Sequence, residues 1–319
     1  MSLPCYLRHT RACALPSRSG GGAVRRLELS WTRYGTVGAP TVVVLGGLSS
    51  DRFVADARDR RGWWPQMVGP GLALDPRRVG ILGFDYAVPV GAEPLGTGEQ
   101  ADALAAVLDA EGIGRAHAIV GASYGAMVAL AFGAAHPDRV ARLVAISGTD
   151  RPHPMATALR SVQRRIVRFG IASGRALDAL ALARSLAMVS YRTPEELAAR
   201  FDGAVTREDG SVRAPIDAWL ERHGARFAER ISPERFLALS ASLDLHRIDP
   251  TAVKVPTLLI GATCDPLVPI ADLRRLRDAL PDARLVELDS PYGHDAFLKE
   301  ARSIDALLRH ALTRREVAA

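Results

Sequence analysis

The sequence lacks the features that mark several common protein classes. Its 319 residues include only three cysteines, Cys5, Cys13 and Cys264, and they form no zinc-binding or redox spacing. Neither a disulfide framework nor a metal site is expected, which fits a reducing compartment. No apolar run approaches the roughly 18 residues that span a bilayer, and the first twenty residues lack the apolar core of a secretory signal. The sequence predicts a soluble, cytoplasmic protein with no membrane partner.

Lysine is also scarce, since Lys254 and Lys299 are the only two, so the formal charge of +6 rests on arginine. The arginines are spread among acidic residues and form no stripe with interleaved aromatic side chains. A nucleic-acid partner is therefore not expected. A few of these arginines could instead hold an anionic substrate.

The start of the chain is basic. Arg8, Arg11 and Arg18 precede the first acidic residue, Glu28. Organellar transit peptides share this bias. We interpret the stretch instead as a short basic tail that leads into the first strand.

Strands and helices alternate over the first half of the chain, and 48% hydrophobic residues are ample for a core. Runs such as "PTVVVLGGL" read as strands, and stretches such as "GEQADALAAVLDAEG" have helical spacing. This rhythm predicts an α/β fold with a mostly parallel central sheet and helices on both faces. From residue 150 to 250 the spacing is helical with no convincing strand. We predict core segments 1–149 and 251–319 and a helical lid insertion, 150–250.

The stretch "VGASYGAMVAL" places Ser123 between a predicted strand and a predicted helix, in a Gly-x-Ser-x-Gly frame. In that context the tight turn strains the serine backbone and presents its hydroxyl at the helix N-terminus. A small residue in an ordinary turn is the alternative. The flanking strand and helix favour a nucleophile.

An acid and a histidine follow Ser123 in the order that a catalytic triad on such a sheet requires. Asp265 follows the strand in "LLIGATCDPLVP", and His294 follows the last strand in "RLVELDSPYGHDAF". Alone, Asp265 could be a helix cap and His294 a polar loop residue. Together they predict a triad in which His294 is the general base and Asp265 fixes its tautomer.

The predicted triad also needs an oxyanion hole made of backbone N–H groups. Tyr124 directly follows the nucleophile and supplies one N–H, and the loop after "VVVLGG" can supply the other from Leu48. Gly46 and Gly47 would let that loop approach closely, although "GGLSSD" could also be an ordinary turn.

Several longer blocks resemble the homoserine O-acyltransferases of the α/β-hydrolase superfamily, over nearly the whole chain and in the family's order. The Trp63-Trp64 pair with "VGPG" and the ending "GHDAFL" are the most specific. The blocks are "GWWPQMVGPGLALD", "GASYGAMVAL", "SVQRRIVR", "YRTPEE", "CDPLVP" and "SPYGHDAFLKE". The resemblance implies an α/β-hydrolase fold with a helical lid insertion.

Within this family the chain looks most like the homoserine O-succinyltransferases, through "SYGAM" and "DLHRIDP". Acetyl-transferring members usually carry Ser-Met-Gly-Gly near the nucleophile, where this chain has Tyr124 and Ala126. The resemblance implies ping-pong transfer of a succinyl group from succinyl-CoA to the hydroxyl of L-homoserine through a Ser123 acyl-enzyme, in methionine biosynthesis. It implies no cofactor beyond the acyl-CoA co-substrate, and a homodimer formed through the helical insertion.

The resemblance also assigns the polar ends of the substrates. Arg192 in "SYRT" would bind the carboxylate of homoserine, and Asp295 would bind its ammonium group. Asp295 is also well placed to cap the last helix and could do both. For the far carboxylate of the succinyl group we choose Arg160 over Arg164, Arg165 and Arg52, all of which could be surface arginines.

Three other functions remain open at this stage. A serine hydrolase with the same triad would pass the acyl group to water. Acetyl-CoA as donor or L-serine as acceptor would keep the transfer but change one substrate. A non-catalytic receptor of the hydrolase fold is the third, although such a protein should tolerate the loss of a triad member, and all three are present.

Overall fold

The computed structural model describes residues 7–16, 18, 24–57, 60–89 and 93–313. An eight-stranded sheet lies at the centre of this part of the chain. The strand order is β1-β2-β4-β3-β5-β6-β9-β10, and all neighbours from β4 onward pair in parallel. The strands are β1 (Leu7–Pro16), β2 (Val24–Tyr34), β3 (Thr41–Leu45), β4 (Gly80–Phe84), β5 (Ala118–Ala122), β6 (Leu143–Ile146), β7 (Thr206–Glu208), β8 (Ser211–Arg213), β9 (Thr257–Ala262) and β10 (Ala283–Leu288). The predicted α/β-hydrolase fold is confirmed.

Helices cover both faces of this sheet. The helices of the described residues are α1 (Thr97–Ala110), α2 (Tyr124–Ala135), α3 (Pro154–Ala172), α4 (Ala176–Ser190), α5 (Pro194–Phe201), α6 (Asp217–Ala228), α7 (Pro233–Asp244), α8 (Ile270–Ala279), α9 (Ala296–Lys299) and α10 (Ala301–Thr313). Along β3, Val43 and Leu45 join the core under α1 and α2, and Val42 and Val44 join the core under α10. Burial on both faces explains why β3 is apolar from Val42 to Leu45. Among the described helices, none is both long and apolar enough to cross a membrane.

The basic start of the chain is not only a tail, as the sequence suggested. Residues Leu7–Pro16 form β1, which pairs antiparallel with β2 along its whole length. Cys13 and Leu15 pack against the core, and the main-chain hydrogen bonds of the ladder stabilise the strand although its arginines remain outside. The prediction missed β1 because the apolar alternation there is weak.

A helical segment separates β6 from β9. The segment is mainly helical, as predicted, and its helices α3, α4, α6 and α7 pack on one another. The limits 150–250 of a lid domain stay a prediction. The expectation of no strand is wrong, since β7 and β8 form a small hairpin. Its turn, Asp209-Gly210, has positive φ at both residues (49° and 74°), the geometry for which an Asp-Gly pair is a strong hairpin signal.

The predicted single closing helix is interrupted. The carbonyl oxygens of Phe297 and Leu298 accept hydrogen bonds from the side chains of Trp64 and Gln66. These contacts hold the short helix α9 in place, and the chain turns at Glu300 before α10 begins. His294 lies before α9, in a 3-10 turn, Gly293–Asp295, that follows β10.

A buried histidine ties the last helix of the inserted segment to the sheet. His246 Nε2 donates to the carbonyl oxygen of Thr149 (2.8 Å), so its Nδ1 accepts from the hydroxyl of Thr97 (2.7 Å). Burial lowers the pKa of His246 to about 4, although the contact with Thr149 and the charge of Asp150 oppose this effect. The ring is therefore neutral in the folded protein near neutral pH.

We expect acid to destabilise the fold through His246. The unfolded chain binds a proton near pH 6.5 and the folded chain only near pH 4, so the free energy of unfolding falls across that window by about 3 kcal/mol. Urea unfolding at pH 7.5 and at pH 4.5 measures this loss, and His246→Gln should reduce it. His310→Gln, at an exposed site on α10, is the matched control. An identical pH dependence in all three proteins would contradict the expectation.

Candidate active site

Two close backbone contacts shape the turn between β5 and α2. A Cβ at Gly121 would overlap the carbonyl oxygen of Gly125, and a Cβ at Gly125 would overlap that of Leu45. Because both positions are glycines, strand and helix can approach closely, and Ser123 adopts φ 55° and ψ −116° directly before α2. This is the strained turn that the sequence motif predicts.

A continuous hydrogen-bond chain joins Ser123, His294 and Asp265. The Ser123 Oγ lies 2.8 Å from His294 Nε2, and His294 Nδ1 lies 2.7 Å from Asp265 Oδ2. Because the carboxylate only accepts, Nδ1 carries the ring proton and Nε2 is left to accept the serine proton. The arrangement can therefore activate a serine nucleophile, although the catalytic roles stay predictions.

Asp265 is fixed on its other oxygen. Its Oδ1 accepts hydrogen bonds from the backbone N–H groups of Leu267 (2.9 Å) and Val268 (3.0 Å), and the residue is only 4% exposed. Because hydrogen bonds hold both of its oxygens, the Asp265 carboxylate cannot rotate freely and keeps the His294 ring in one orientation. The helix-cap alternative for Asp265 is therefore wrong, because α8 begins only at Ile270.

Opposing effects act on the pKa of His294. Burial alone lowers it, whereas the charge and hydrogen bond of Asp265 and the charge of Asp295 raise it, against a smaller opposing effect of Arg160. The net result is a pKa above the ordinary histidine value. The charge of Asp265 therefore favours the imidazolium that forms when His294 takes up a proton.

The predicted oxyanion donors are available. Among the described residues, the backbone N–H groups of Leu48 and Tyr124 have no hydrogen-bond acceptor, and Leu48 lines the same cavity as Ser123. A Cβ built on Gly47 would lie 3.7 Å from the Cβ of Ser123, so the loop that carries Leu48 runs next to the nucleophile. An oxygen bound there would meet two unpaired donors.

Two buried tyrosines, which the sequence analysis did not single out as a pair, support the oxyanion loop. The Tyr86 hydroxyl donates to the carbonyl oxygen of Gly46, and its ring contacts that of Tyr124 at a centroid distance of 4.5 Å. The Tyr124 hydroxyl shares a hydrogen bond of 2.6 Å with Ser242. Burial raises the pKa of both phenols, so both remain protonated. No spacing rule in the sequence connects these residues.

The tryptophan pair holds the histidine loop. Trp64 is fully buried, donates to the carbonyl oxygen of Phe297 (3.2 Å) and stacks on Trp63 at 5.0 Å. The Phe297 ring in turn packs edge-on against the His294 ring at 6.3 Å. The tryptophan pair, the most specific block of the sequence, is thus connected to His294 through Phe297.

A cavity of about 330 Å³ opens above the Ser123 hydroxyl. Trp63, Leu48 and His294 line its floor, and residues of α3, α4 and α7 line its walls. The described residues contain no cluster of side chains suited to a metal ion. The Ser123 hydroxyl is therefore accessible from a cavity large enough for a small molecule.

The two residues predicted to bind the amino acid bind each other. Arg192 Nη2 lies 3.0 Å from Asp295 Oδ2, and Arg192 Nη1 lies 3.4 Å from Glu196 Oε1. Asp295 lines the cavity, whereas Arg192 lies behind it at 6% exposure. Asp295 occupies the N-cap position of α9, as the cap alternative expected, but its side chain makes no capping hydrogen bond there.

Arg160 lines the cavity but already has an acidic partner. Its Nε (2.8 Å) and Nη2 (2.6 Å) contact Asp244 Oδ1, and Arg164 Nη1 contacts Asp244 Oδ2 at 2.6 Å. The three side chains together carry one net positive charge, which one further carboxylate would neutralise. Sequence reasoning missed Asp244, because an acid in "DLHRIDP" gives no sign of its partner.

The other candidate arginines face elsewhere. Arg52 pairs with Asp85 and packs over the Phe53 ring, so it anchors the loop after β3. Arg165 is exposed on the outside of α3. Of the predicted donor-binding candidates, only Arg160 lines the cavity.

Comparison with known proteins agrees with this geometry. Residues 40–301 match the family model of the alpha/beta hydrolase fold. The chain is 46% identical to a homoserine O-succinyltransferase of Xanthomonas campestris pv. campestris, over 97% of this chain and 85% of that protein. It is 32% identical to a serine O-succinyltransferase of Stenotrophomonas maltophilia, over 91% of this chain and 93% of that protein. A solved homoserine O-acetyltransferase of Bacillus anthracis is similar in fold, with a TM-score of 0.89, 15% identity and full coverage of both chains.

We expect Ser123→Ala to lower the rate of p-nitrophenyl acetate hydrolysis at least about a thousandfold, because it removes the nucleophilic oxygen. Asp265→Asn should lower the same rate by about four orders of magnitude, because the amide would hold His294 in the wrong tautomer. Phenolate release, with circular dichroism to verify folding, measures both. Ser147→Ala removes a hydroxyl from the same cavity and should stay within about tenfold of the wild type. Comparable loss in Ser147→Ala and Ser123→Ala would contradict the nucleophile assignment.

The pKa of His294 predicts the acid limb of this reaction. Because a raised pKa keeps the ring protonated to higher pH, the acylation rate should fall with falling pH at an inflection above 6.5. Asp295→Asn removes a charge that raises this pKa and should move the inflection to lower pH. Asp282→Asn, at an exposed site, is the control. An inflection at or below 6.5 in the wild type would refute the prediction.

Proposed function

Because the chain belongs to the homoserine O-acyltransferase family of the α/β-hydrolase fold, we propose that it transfers a succinyl group from succinyl-CoA to the hydroxyl of L-homoserine. The product would enter methionine biosynthesis. The relative at 46% identity supports this donor and this acceptor. The observation that carries transfer, instead of hydrolysis, is the Arg192–Asp295 ion pair directly beside His294, because hydrolysis of a thioester needs no site for a zwitterion.

The first half-reaction forms an acyl-enzyme. The Ser123 oxygen attacks the thioester carbonyl while its proton moves to His294 Nε2, and the N–H groups of Leu48 and Tyr124 stabilise the oxyanion. The carbon–sulfur bond then breaks, and the sulfur of CoA takes the proton from His294. Asp265 stabilises the imidazolium that exists between these two steps.

The second half-reaction uses the same groups in reverse order. The hydroxyl of homoserine gives its proton to His294 Nε2 as its oxygen attacks the acyl carbonyl. When the bond between the acyl carbon and the Ser123 oxygen breaks, the Ser123 oxygen takes this proton back from His294 Nε2. The helices above the cavity favour the amino acid over water, since they limit the entry of solvent and hold the acceptor near the acyl group.

The ion pair can open to receive the amino acid. A zwitterion supplies an ammonium group for Asp295 and a carboxylate for Arg192, so each buried charge exchanges one partner for another and none remains unpaired. Glu196, which also contacts Arg192, keeps that guanidinium in place during the exchange.

The succinyl donor adds a carboxylate that Arg160 would bind. Arg160 reaches the cavity, and Asp244 holds its guanidinium in a fixed orientation. The Arg160–Arg164–Asp244 cluster has one positive charge in excess, which a succinyl group neutralises and an acetyl group does not. This difference favours succinyl-CoA over acetyl-CoA.

The proposal includes a homodimer in the cytoplasm, without nucleic-acid or membrane partners. On α3 and α4, Phe169 is 77% exposed, and Leu177 and Leu182 are about equally exposed at 58% and 60%. Large apolar side chains on neighbouring helices favour a contact with a second copy of the chain.

Release of free thiol tests the proposed reaction. Succinyl-CoA with L-homoserine should give sustained release, and succinyl-CoA alone should give only a burst that is stoichiometric with the enzyme. Acetyl-CoA and L-serine should be poorer substrates, and Ser123→Ala is the control for enzyme-dependent release. Sustained release without an amino acid would identify a thioesterase, and no release at all would identify a non-catalytic protein.

A further inference from the structure

Two polar side chains in the cavity wall have no role in the reaction described above. Gln163 on α3 lines the cavity, is only 5% exposed, and forms no hydrogen bond with any residue of the described chain. Arg184 on the neighbouring helix α4 lines the same cavity. Buried polar groups are normally paired, so a side-chain amide that faces a cavity without a protein partner is available to a ligand.

Arg184 differs from the other arginines of the cavity. Arg160 contacts Asp244, and Arg230 lies 3.6 Å from a carboxylate oxygen of Asp51. Arg184 has no carboxylate partner within the described residues, and its one hydrogen bond is a long contact of 3.4 Å from Nη1 to the Tyr191 hydroxyl. Its charge is therefore available to an anion in the cavity.

Two aromatic rings hold the guanidinium of Arg184. Its Cζ lies 5.0 Å from the centroid of the Tyr191 ring and 5.1 Å from that of Phe227. Such contacts restrict a flexible side chain while the N–H donors in the guanidinium plane stay available. The site is thus arranged for an anion before the anion binds.

Arg160 leaves part of the recognition to other groups. Its Nε and Nη2 both point at Asp244, so the edge that would form a two-pronged contact is already used. Only its Nη1 has no hydrogen-bond partner among the described residues. Arg160 and Gln163 are three residues apart on α3 and so share one face of that helix.

We propose that Arg184 and Gln163 complete the subsite for the far carboxylate of the donor acyl group, opposite the unused nitrogen of Arg160. This inference rests on the proposed succinyl transfer. The Arg184 guanidinium would pair with the carboxylate, and the Gln163 amide would donate a hydrogen bond to it. An acetyl group would leave both groups unpaired, so they set donor specificity.

The position of Arg184 favours the acyl carboxylate over the phosphates of CoA. The Tyr191 ring that Arg184 contacts lies 5.5 Å, between centroids, from the ring of His294. A single aromatic side chain therefore separates Arg184 from the reacting centre. A short acyl chain on Ser123 would stay close to this centre, whereas the long pantetheine arm would carry the phosphates away from it.

Donor selectivity in the first half-reaction tests the subsite. In single-turnover thiol release without an amino acid, Arg184→Leu should lower the ratio of the rates with succinyl-CoA and acetyl-CoA by about ten- to a hundredfold. Gln163→Leu should lower it by a smaller factor. Arg184→Lys keeps the charge without the planar fork and should fall between the wild type and Arg184→Leu.

Matched controls separate this role from loss of charge or of folding. Arg165→Leu removes the same charge from the exposed side of α3 and should leave the ratio unchanged. Thermal unfolding of each variant should match that of the wild type. Arg184→Glu gives a second test, since a repelling charge should depress the rate with succinyl-CoA and spare the rate with acetyl-CoA.

Three outcomes would overturn the proposal. An unchanged ratio excludes donor recognition, equal loss with both donors assigns Arg184 to CoA or to the helix wall, and a change confined to the KM of homoserine assigns it to the acceptor carboxylate. Failure of the proposed function would look different. In that case the wild-type protein itself would prefer acetyl-CoA or release thiol continuously without homoserine.

Discussion

The near contact of backbone atoms at Gly121 and Gly125 is the constraint on which the site depends. A side chain at either position would collide with a carbonyl oxygen, so β5 and α2 could not approach, and Ser123 could not hold its left-handed backbone conformation. That conformation points the hydroxyl at His294 and exposes the first N–H of α2 to a developing oxyanion. Strain at this one residue is tolerated because the core on both faces of the sheet fixes the strand and the helix that flank it.

Ion pairs neutralise several of the arginines that lie around the cavity. Asp244 is shared by two arginines of α3, and Asp295 and Glu196 share Arg192. Removing one member of such a buried group leaves its partner charged and unpaired, which is costlier than the pair was favourable. The net charge of +6 is therefore a poor guide to partners, whereas the few incompletely paired guanidinium groups around the cavity are informative.

The sequence predicted those features that local rules determine. The strand–serine–helix turn, the order of Ser123, Asp265 and His294, and the fold all follow from short-range patterns. Strand β1 was missed because its stability comes from pairing with β2 instead of from its own weak alternation. The ion pairs of Asp244, the hydrogen bond of Tyr86 and the place of Gln163 in the cavity wall could not be predicted, since each depends on how distant helices and loops meet in space. Roles carried over from the family located Arg192 and Asp295, but not their contact with each other.

The link from Trp64 to Phe297 has a consequence for the order in which the molecule forms. This hydrogen bond joins residues 233 positions apart, and the contact from Ser123 to His294 spans 171 positions. Contacts of such long sequence separation form late and slowly, because the entropy of closing large loops must be overcome first. A chain that has folded only as far as β6 has its serine turn but no base. Chemical reactivity therefore emerges only with the completed tertiary structure, so a partly folded intermediate cannot consume acyl thioesters.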